Sequence, residues 1–428
     1  MRDTGHIHRV DWTDPALKRR LAARHRSDGY LRLIGGAALG AACLVFALLV
    51  GSLVYAGYPA FTQTHVTLQF DGTGDRVALD APDAGNYRAI TRDALGQLFP
   101  EVTSRKDQRA LAGILSNGAQ YILRDHIVAN PGLIGHTITL TVPVSDPYDQ
   151  LAKGLIDAAT PEANRRLNDA EIAWFQKLQA DGAVSRPLNT GLLTNPDSRF
   201  PELAGLAGAL RGTFYALLVC FLISFPVGIS AGIYLEEFAP KNRFTDMIEV
   251  NINNLAAVPS VVFGLLALAV FLGWFGLPRS APLVGGMTLA LMTLPTIIIA
   301  TRVAVKAVPP SIRDAALSLG ASQHQVVLGH VVPLAMPGIL TGTIIGLAQA
   351  LGETAPLLLI GMNAFITQVP DSMLEPATAL PTQIFIWADS PERGFATRTS
   401  AAICVLLAFL VAMNAVAIYL RKRFERQW

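Results

Sequence analysis

Charged side chains are scarce in this chain of 428 residues. They make up 15% of it, whereas an ordinary soluble domain carries about 25%. Hydrophobic residues make up 51%, and the net charge is only +2. These proportions argue against a soluble enzyme, a disordered chain and a nucleic-acid-binding protein.

Cysteine is almost absent too. Cys43, Cys220 and Cys404 all fall in uncharged stretches, and the long polar segment between the first two stretches contains none, which excludes a disulfide framework there. His126 and His136 have no other histidine or cysteine at metal-ligand spacing. We therefore expect no metal site and no catalytic residue in that segment.

What the chain does have is long uncharged stretches. The longest enclose 38 residues, while about 20 apolar residues suffice for a helix to cross a bilayer. We predict an all-α membrane protein with six transmembrane helices near 33–55, 213–235, 255–277, 281–300, 338–362 and 400–420.

The distribution of basic residues predicts the orientation. With both termini in the cytoplasm, the inside segments hold 17 Lys and Arg residues, against 3 in the two short outside loops. We thus expect a multi-pass protein of the bacterial inner membrane. Its predicted parts are a cytoplasmic tail (1–32), an anchor (33–58), an extracytoplasmic domain (59–205), a transmembrane domain (206–420) and a second cytoplasmic tail (421–428).

The extracytoplasmic segment is long enough to fold on its own. Alternating apolar and polar residues predict strands at 66–70 and 136–142, and helical periodicity predicts helices at 108–127 and 162–179. We expect an inserted α+β domain, and its sequence gives no indication of its role.

The cytoplasmic loop 301–337 has strong helix signals. Pro309-Pro310 predicts the end of the preceding helix, and Ser311 with Asp314 predicts a capping box that starts a short helix. Gly320 suits the left-handed residue after that helix. Ser322 with Gln325 predicts a second capping box and a second helix, near 323–332, ending at Pro333. Such a loop is either an amphipathic surface element or a docking element.

Small residues mark helix-packing faces. Gly338, Gly342 and Gly346 recur every four residues along the fifth predicted span, which favours close helix contact. Gly228 and Gly232 have the same spacing. They also match the G-x-S-x-G motif of serine hydrolases, but no span contains the histidine that motif needs, so we interpret them as packing residues.

Glu353 is the only ionised residue deep within a predicted span. A charge near the middle of the bilayer costs at least about 2.5–3.5 kcal/mol, so such a residue faces a bundle interior or a water-filled path. Two helical turns beyond Gly346, it is expected on nearly the same face, toward a subunit interface, with Pro356 kinking the helix one turn later.

The cytoplasmic loop resembles the EAA loop of ABC importer permeases. The resemblance rests on Asp314, Ala315 and Ala316, on Gly320 six residues after the acid, and on Pro333 nineteen after it. In that family the loop inserts into a cleft of an ATP-binding subunit. The chain has no G-x-x-x-x-G-K-[ST] phosphate loop, so ATP and magnesium are expected on that partner, with no cofactor on this chain.

Two further stretches are similar to phosphate ABC transporter permeases of the PstA type. One runs from Ile233 to Pro240 and on through Asn251 to Gly264, and the other is Leu351-Gly-Glu-Thr-Ala-Pro-Leu357. The resemblance implies a MetI-like fold and phosphate import. The implied partners are a PstC-like permease, PstB-like ATPase subunits, a PstS-like phosphate-binding protein and membrane lipid.

The resemblance also implies a pathway or gate formed by Glu353, Thr354 and Gln349; relatives often have arginine at the position of Gln349. Glu353 would form an ion pair with an arginine of the partner subunit, accept a proton from hydrogen phosphate, or join helices structurally. The alternatives for the whole chain are a molybdate or sulfate permease, a membrane-anchored sensor and, weakest, an intramembrane protease.

Overall fold

The computed structural model describes residues 15–71 and 73–424. The ends of the two predicted tails, 1–14 and 425–428, lie outside this range. The chain divides into two units, with the boundary in the sequence between Tyr55 and Ala56. The first unit contains most of a single helix, α1 (Pro15–Gly57). This helix contains the predicted anchor and is long enough to span a membrane.

The segment 59–205, called the inserted domain below, is a small α/β unit. Its elements are β1 (His65–Phe70), α2 (Thr73–Arg76), α3 (Tyr87–Leu98), α4 (Arg105–Ala112), α5 (Ala119–Ala129), β2 (Ile138–Pro143), α6 (Asp146–Ala152), α7 (Asp169–Ala180), β3 (Val184–Ser185) and α8 (Gly191–Thr194).

The strands form an antiparallel sheet in the order β2-β1-β3, with Val66 opposite Val142. Val66, Leu68 and Phe70 are buried. The apolar residues of the alternating pattern thus face the core, as in a half-buried strand. Both predicted strands are confirmed. The single helix predicted at 108–127 is wrong, because the chain leaves the helix at Gly113 and starts α5 at Ala119.

The helix predicted at 162–179 begins later, at Asp169. The side chain of Asn168 accepts a hydrogen bond from the Glu171 amide, and the Glu171 carboxylate accepts one from the Asn168 amide. This reciprocal capping box satisfies two amides at the start of α7 and so fixes where the helix begins.

The permease domain follows. Its helices are α9 (Ala207–Ile233), α10 (Arg243–Ala256), α11 (Ser260–Ala267), α12 (Pro282–Lys306), α13 (Pro310–Ser318), α14 (Gln323–Val326), α15 (Val332–Gly352), α16 (Ala355–Leu359), α17 (Leu380–Ala388) and α18 (Gly394–Phe424). The chain remains helical, with wider turns, after α9, α11 and α14.

The described residues contain five helices that could each span a membrane, and six if one bent pair is counted as a span. The prediction of a mostly helical membrane protein with an inserted α+β domain is confirmed. The bent pair corrects the third predicted span: α10 and the helix from Ser260 to Trp274 meet at 99°. Pro259, directly before the second helix, has an extended backbone. The first helix therefore ends before Pro259, and a new helix starts at Ser260.

Candidate translocation and coupling sites

The fifth predicted span is broken at Glu353. Helix α15 ends at Gly352, Glu353 is extended (φ −76°, ψ 125°), and α16 begins at Ala355. The expectation that Glu353 continues the helical face of Gly346 is therefore wrong. Pro356 lies in the first turn of a new helix, where its missing amide has no cost, so it does not kink a continuous one.

The break is held by a close contact with α11. A Cβ on Gly264 would lie 2.7 Å from the Cα of Pro356 and 3.2 Å from its carbonyl oxygen. Only a residue without a side chain allows the two backbones to approach so closely. The two sequence stretches similar to PstA permeases thus meet in space, Gly264 from one against Pro356 from the other.

The three predicted pathway residues lie around this break. Glu353 and Thr354 are half-buried and Gln349 is exposed on α15, one turn before the break. Their side chains form no hydrogen bond or ion pair with any residue that the structure describes. An unpaired carboxylate beside an interrupted helix is an unusual feature in a membrane span, because charges there are normally paired or reach water.

The glycine rows are faces of contact with α12. A Cβ on Gly342 would lie 2.1 Å from Cβ of Ala300, and one on Gly338 would lie 2.7 Å from Cβ of Ala304. Gly346 has looser contacts with the same helix. This face of α15 is thus a helix-packing face covered within the chain, as the glycine spacing predicts.

On the other side of α12, Gly228 and Gly232 of α9 come close to Ile297 and Thr301. A Cβ on either glycine would lie 2.7 Å from a side-chain atom of α12. The G-x-S-x-G pattern therefore lies in a continuous helix that packs against another helix. Helix α12 is packed between α9 and α15.

The predicted coupling loop forms two helices with a left-handed residue between them. Gly320 has φ +86°, as the sequence predicts. Ser322 starts α14, and its amide donates to Oε1 of Gln325 at 2.9 Å. Asp314 and Ala315 are exposed on α13, while Ala316 is buried against the end of α12.

Two details of the loop differ from prediction. Ser311 is not the capping residue: α13 starts at Pro310 after an extended Pro309, since proline is favoured at the first helical position. Pro333 does not end a helix either. A wide turn at 327–331 precedes it, and the chain continues without interruption into α15. The wide turn changes the hydrogen-bond register where the proline has no amide to donate.

An arginine that sequence reasoning missed fixes the loop to the spans. The guanidinium of Arg313 donates to Glu237 at 2.6 and 3.1 Å, and to the carbonyl oxygens of Val305 and Val308 at 2.9 and 2.7 Å. Gln323 donates to the carbonyl of Glu237 at 2.6 Å. The acidic pair of the Ile233–Pro240 stretch is thus structural support for the coupling loop.

The neighbouring carboxylate belongs to a second ion pair. Arg302, near the end of α12, donates to Glu249 of α10 at 2.6 Å and lies 3.5 Å from Glu236. The two arginines together connect the end of α9, α10, α12 and α13. The sequence signal was present, since both acids directly precede Phe238-Ala-Pro240, but their partners are distant in the chain.

A buried ionic cluster joins the inserted domain to α18. Arg398, 5% exposed, donates to the carbonyl oxygen of Ala204 at 2.5 Å. Close to it, Ser116 donates to Glu202 at 2.7 Å, and Lys153 pairs with Asp149 at 2.5 Å. Burial raises the pKa of the Glu202 carboxyl, while the bond from Ser116 opposes the shift. Sequence reasoning missed Arg398.

Among the described residues, 15–71 and 73–424, no group of three or more His, Cys, Asp or Glu side chains is arranged to hold a metal ion. The arrangement at Glu353 offers a half-buried carboxylate at a break between two helices. The arrangement at Arg313 offers a braced surface element.

Comparison with known proteins relates these sites to a family. Residues 224–426 match the binding-protein-dependent transport system inner membrane component, and residues 18–162 match a domain of unknown function, DUF3333. The phosphate transport system permease protein PstA of Haemophilus influenzae is 31% identical over 241 residues, which are 56% of this chain and 83% of that protein. The chain belongs to the PstA-type family of ABC transporter permeases.

Two further relatives agree with this membership. PstA of Xylella fastidiosa strain Temecula1 is 33% identical over 225 residues, 52% of this chain and 77% of that one. The probable ABC transporter permease protein YqgI of Bacillus subtilis is 30% identical over 210 residues, 46% and 71% of the two chains. A PstA-type permease is a multi-pass membrane protein that associates with ATPase and substrate-binding partners. In this member the helix α1 and most of the inserted domain match the separate domain of unknown function.

Proposed function

We propose that this chain is the membrane-spanning permease subunit of an ATP-driven importer of inorganic phosphate. The relationship to proteins named PstA carries the proposal, because two of them are matched over 83% and 77% of their length. The contact of Gly264 with Pro356 supports it, since it joins the two stretches most similar to that family around an unpaired carboxylate.

The protein is proposed to lie in the bacterial inner membrane with both termini in the cytoplasm. The excess of basic residues in the inside segments supports this orientation. Asn130 and Ser318 are both exposed. We expect an impermeant thiol reagent to label a cysteine introduced at Asn130 in intact cells, and one at Ser318 only after permeabilisation. Labelling is measured above the background of the parent chain, and the reverse pattern would contradict the orientation.

We propose that α13, Gly320 and α14 dock on a PstB-like ATPase, which binds ATP and magnesium. Leu317 is 50% and Leu319 is 90% exposed, so the element presents apolar side chains that a partner would cover. A PstC-like permease subunit and a PstS-like phosphate-binding protein complete the proposed importer.

Glu353, Thr354 and Gln349 are the proposed pathway residues of this subunit. The carboxylate can accept a proton from hydrogen phosphate, or it can pair with an arginine of the second permease subunit. Both roles need an ionised or proton-accepting side chain, whereas a purely structural role needs only a hydrogen bond.

The test is the variant Glu353→Gln, in cells whose only phosphate importer contains this chain. We expect it to abolish uptake of labelled phosphate while the ATPase subunit is still recovered in a pull-down, because the change removes charge and keeps shape. Glu162→Gln, at an exposed site in the inserted domain, is the matched control and should transport normally.

Near-normal uptake by Glu353→Gln would leave Glu353 with a structural role, because interhelical hydrogen bonds in membranes average only about 0.6 kcal/mol. Uptake of molybdate or sulfate in place of phosphate by the unmodified importer would refute the proposed substrate.

A further inference from the structure

The inserted domain contains an open cleft between α3, α4 and the start of α5. A cavity of about 610 Å³ lies there, beside a second one of about 530 Å³. Arg92 and Arg109 line both cavities, and Arg88 and Arg105 each line one of them. The volumes are within the range of small-molecule sites, about 300–1,000 Å³.

The arginines are placed against local electrostatic preference. Arg88 and Arg92 are four residues apart on α3, and Arg105 and Arg109 are four apart on α4, so each pair shares a helix face. Like charges at this spacing destabilise a helix by about 0.2–0.5 kcal/mol. Two such pairs along one cleft make it a region of strong positive potential.

Among the described residues, acidic side chains form an ion pair with only one of these four arginines. Arg92 lies 3.3 Å from Asp93. The other three arginines form no ion pair with any residue in the described part of the chain. The described lining of the larger cavity contains no carboxylate. Three of the four arginines thus lack an anionic partner within the described part of the chain, so a bound anion could supply one.

The neutral lining adds hydrogen-bond acceptors. Ser145 Oγ donates its proton to the Gly113 carbonyl at 2.6 Å, so toward the cavity it can only accept. Asn117 and Gln120 also line the cavity, and their amides both donate and accept. Hydrogen phosphate and phosphomonoesters in their monoanionic form carry an O–H group for such an acceptor, whereas sulfate carries none.

We propose that this cleft binds a phosphate group, either free phosphate or the phosphate of a small ester or lipid headgroup. Arginine forks match phosphate oxygens with paired hydrogen bonds, and Ser145 receives the phosphate hydroxyl. The site is separate from the transport pathway. It lies one hydrogen bond from Glu202, because Ser116 lines the cavity and donates to that carboxylate at 2.7 Å.

Hydrogen exchange of the full chain in phosphatidylcholine nanodiscs tests the proposal. We expect inorganic phosphate or glycerol 3-phosphate to slow exchange in peptides covering residues 87–120. The double variant Arg88→Gln, Arg109→Gln should raise the ligand concentration for half-protection at least tenfold. The double variant Lys106→Gln, Arg124→Gln removes the same charge outside both cavities and should behave as the unmodified chain.

The arms distinguish the source of the phosphate group. Protection by inorganic phosphate identifies the free anion, protection by glycerol 3-phosphate alone identifies an ester, and protection in phosphatidic-acid nanodiscs without added ligand identifies a lipid headgroup. All three support the site. Exchange of β1 peptides, which lie in the core, reports whether the variants remain folded.

Three results would overturn the proposal. These are no protection by any probe, equal protection in the double variant Arg88→Gln, Arg109→Gln, and equal protection when sulfate is added in place of phosphate. Binding is read without transport, so failure here leaves the importer function standing, and loss of phosphate uptake alone does not affect the site.

Discussion

Removing Arg313 should detach the coupling loop from the spans while leaving the loop itself folded. Its guanidinium joins Glu237, in the wide turn after α9, to the carbonyls of Val305 and Val308, in and just after the last turn of α12. The change to test is Arg313→Met, which keeps the aliphatic stem and removes every hydrogen bond that the guanidinium donates. Glu237 is then left without its cation.

The expected size follows from burial. The side chains of Arg313 and Glu237 are 21% and 10% exposed. Breaking a fully buried pair costs about 3–5 kcal/mol, and an exposed pair contributes below about 1 kcal/mol. A pair of intermediate exposure with two-point geometry lies between them, at about 2–3 kcal/mol. Since about 1.4 kcal/mol is tenfold in an equilibrium, the docked conformation loses a factor of roughly 30 to 150.

The assay is recovery of the ATPase subunit on the tagged chain, with uptake of labelled phosphate measured in parallel. Both should fall in Arg313→Met. Lys306→Met, an exposed basic residue at the end of α12, removes the same charge nearby and should change neither. Adding Glu237→Gln to Arg313→Met should restore part of the loss, because an unpaired buried carboxylate costs more than a neutral amide.

Two results would refute this reasoning. The first is an Arg313→Met variant that behaves like Lys306→Met, which would mean that the ion pair contributes nothing to the loop. The second is a double variant worse than Arg313→Met, which would mean that Glu237 acts independently of the arginine. If the reasoning holds, adding Glu237→Gln restores only part of the loss, because the hydrogen bonds to Val305 and Val308 are still missing.

Two further predictions concern packing and pH. Gly264→Ala should cost about 1–3 kcal/mol of unfolding free energy and reduce phosphate uptake, because the added Cβ would meet the backbone of Pro356. The control is Gly273→Ala, whose Cβ would lie 3.5 Å from its nearest neighbour and which should change neither quantity. Equal thermal unfolding and equal uptake in the two variants would contradict the close contact. The pKa of Glu202 is raised in the folded state. The protonated carboxyl therefore contributes its full share of folding stability below pH 4.5, the ordinary pKa, and this contribution is lost as the pH rises through the pKa of the folded state. Unfolding midpoints from pH 4 to 8 should therefore fall less steeply in Glu202→Gln, and an unchanged slope would show that the carboxyl does not titrate in this way.

Much of the fold could be predicted because its signals are local. The uncharged runs give the membrane helices, since composition alone decides what enters a bilayer. The alternation in β1 and β2 gives the sheet. Gly320 and the Ser322–Gln325 pair give the bend of the coupling loop, because each fixes the backbone of its own neighbours.

The prolines show where local signals stop being sufficient. Pro259 and Pro309 lie extended before new helices, whereas Pro226 and Pro295 lie inside continuous ones. The residue is the same in both cases. Whether the helix continues through the proline or breaks there depends on how the neighbouring helices pack against it. The break at Glu353 depends in this way on Gly264, about ninety residues earlier in the sequence.

The ion pairs were missed for a similar reason. Arg302 and Glu249, or Arg313 and Glu237, are far apart in the chain, and a single sequence does not show which charges meet. The sequence predicted only that a charge deep within a span, that of Glu353, faces a bundle interior or a water-filled path. The structure supplies the partners, and it places the arginine-lined cleft on helices whose charge pattern is visible in the sequence but whose packing is not.

Helix α12 physically connects the proposed coupling loop with the break at Glu353. At its end, the carbonyls of Val305 and Val308 hold Arg313, and along its side Ala300 and Ala304 touch the glycine face of α15. Close-packed helices with only alanine methyl groups between their backbones transmit a displacement instead of absorbing it. A shift of α13 that moves Arg313 therefore acts on α12, and α12 acts on the helix that ends one residue before Glu353. The same small residues that allow close packing thus leave no soft layer between the docking surface and the proposed gate.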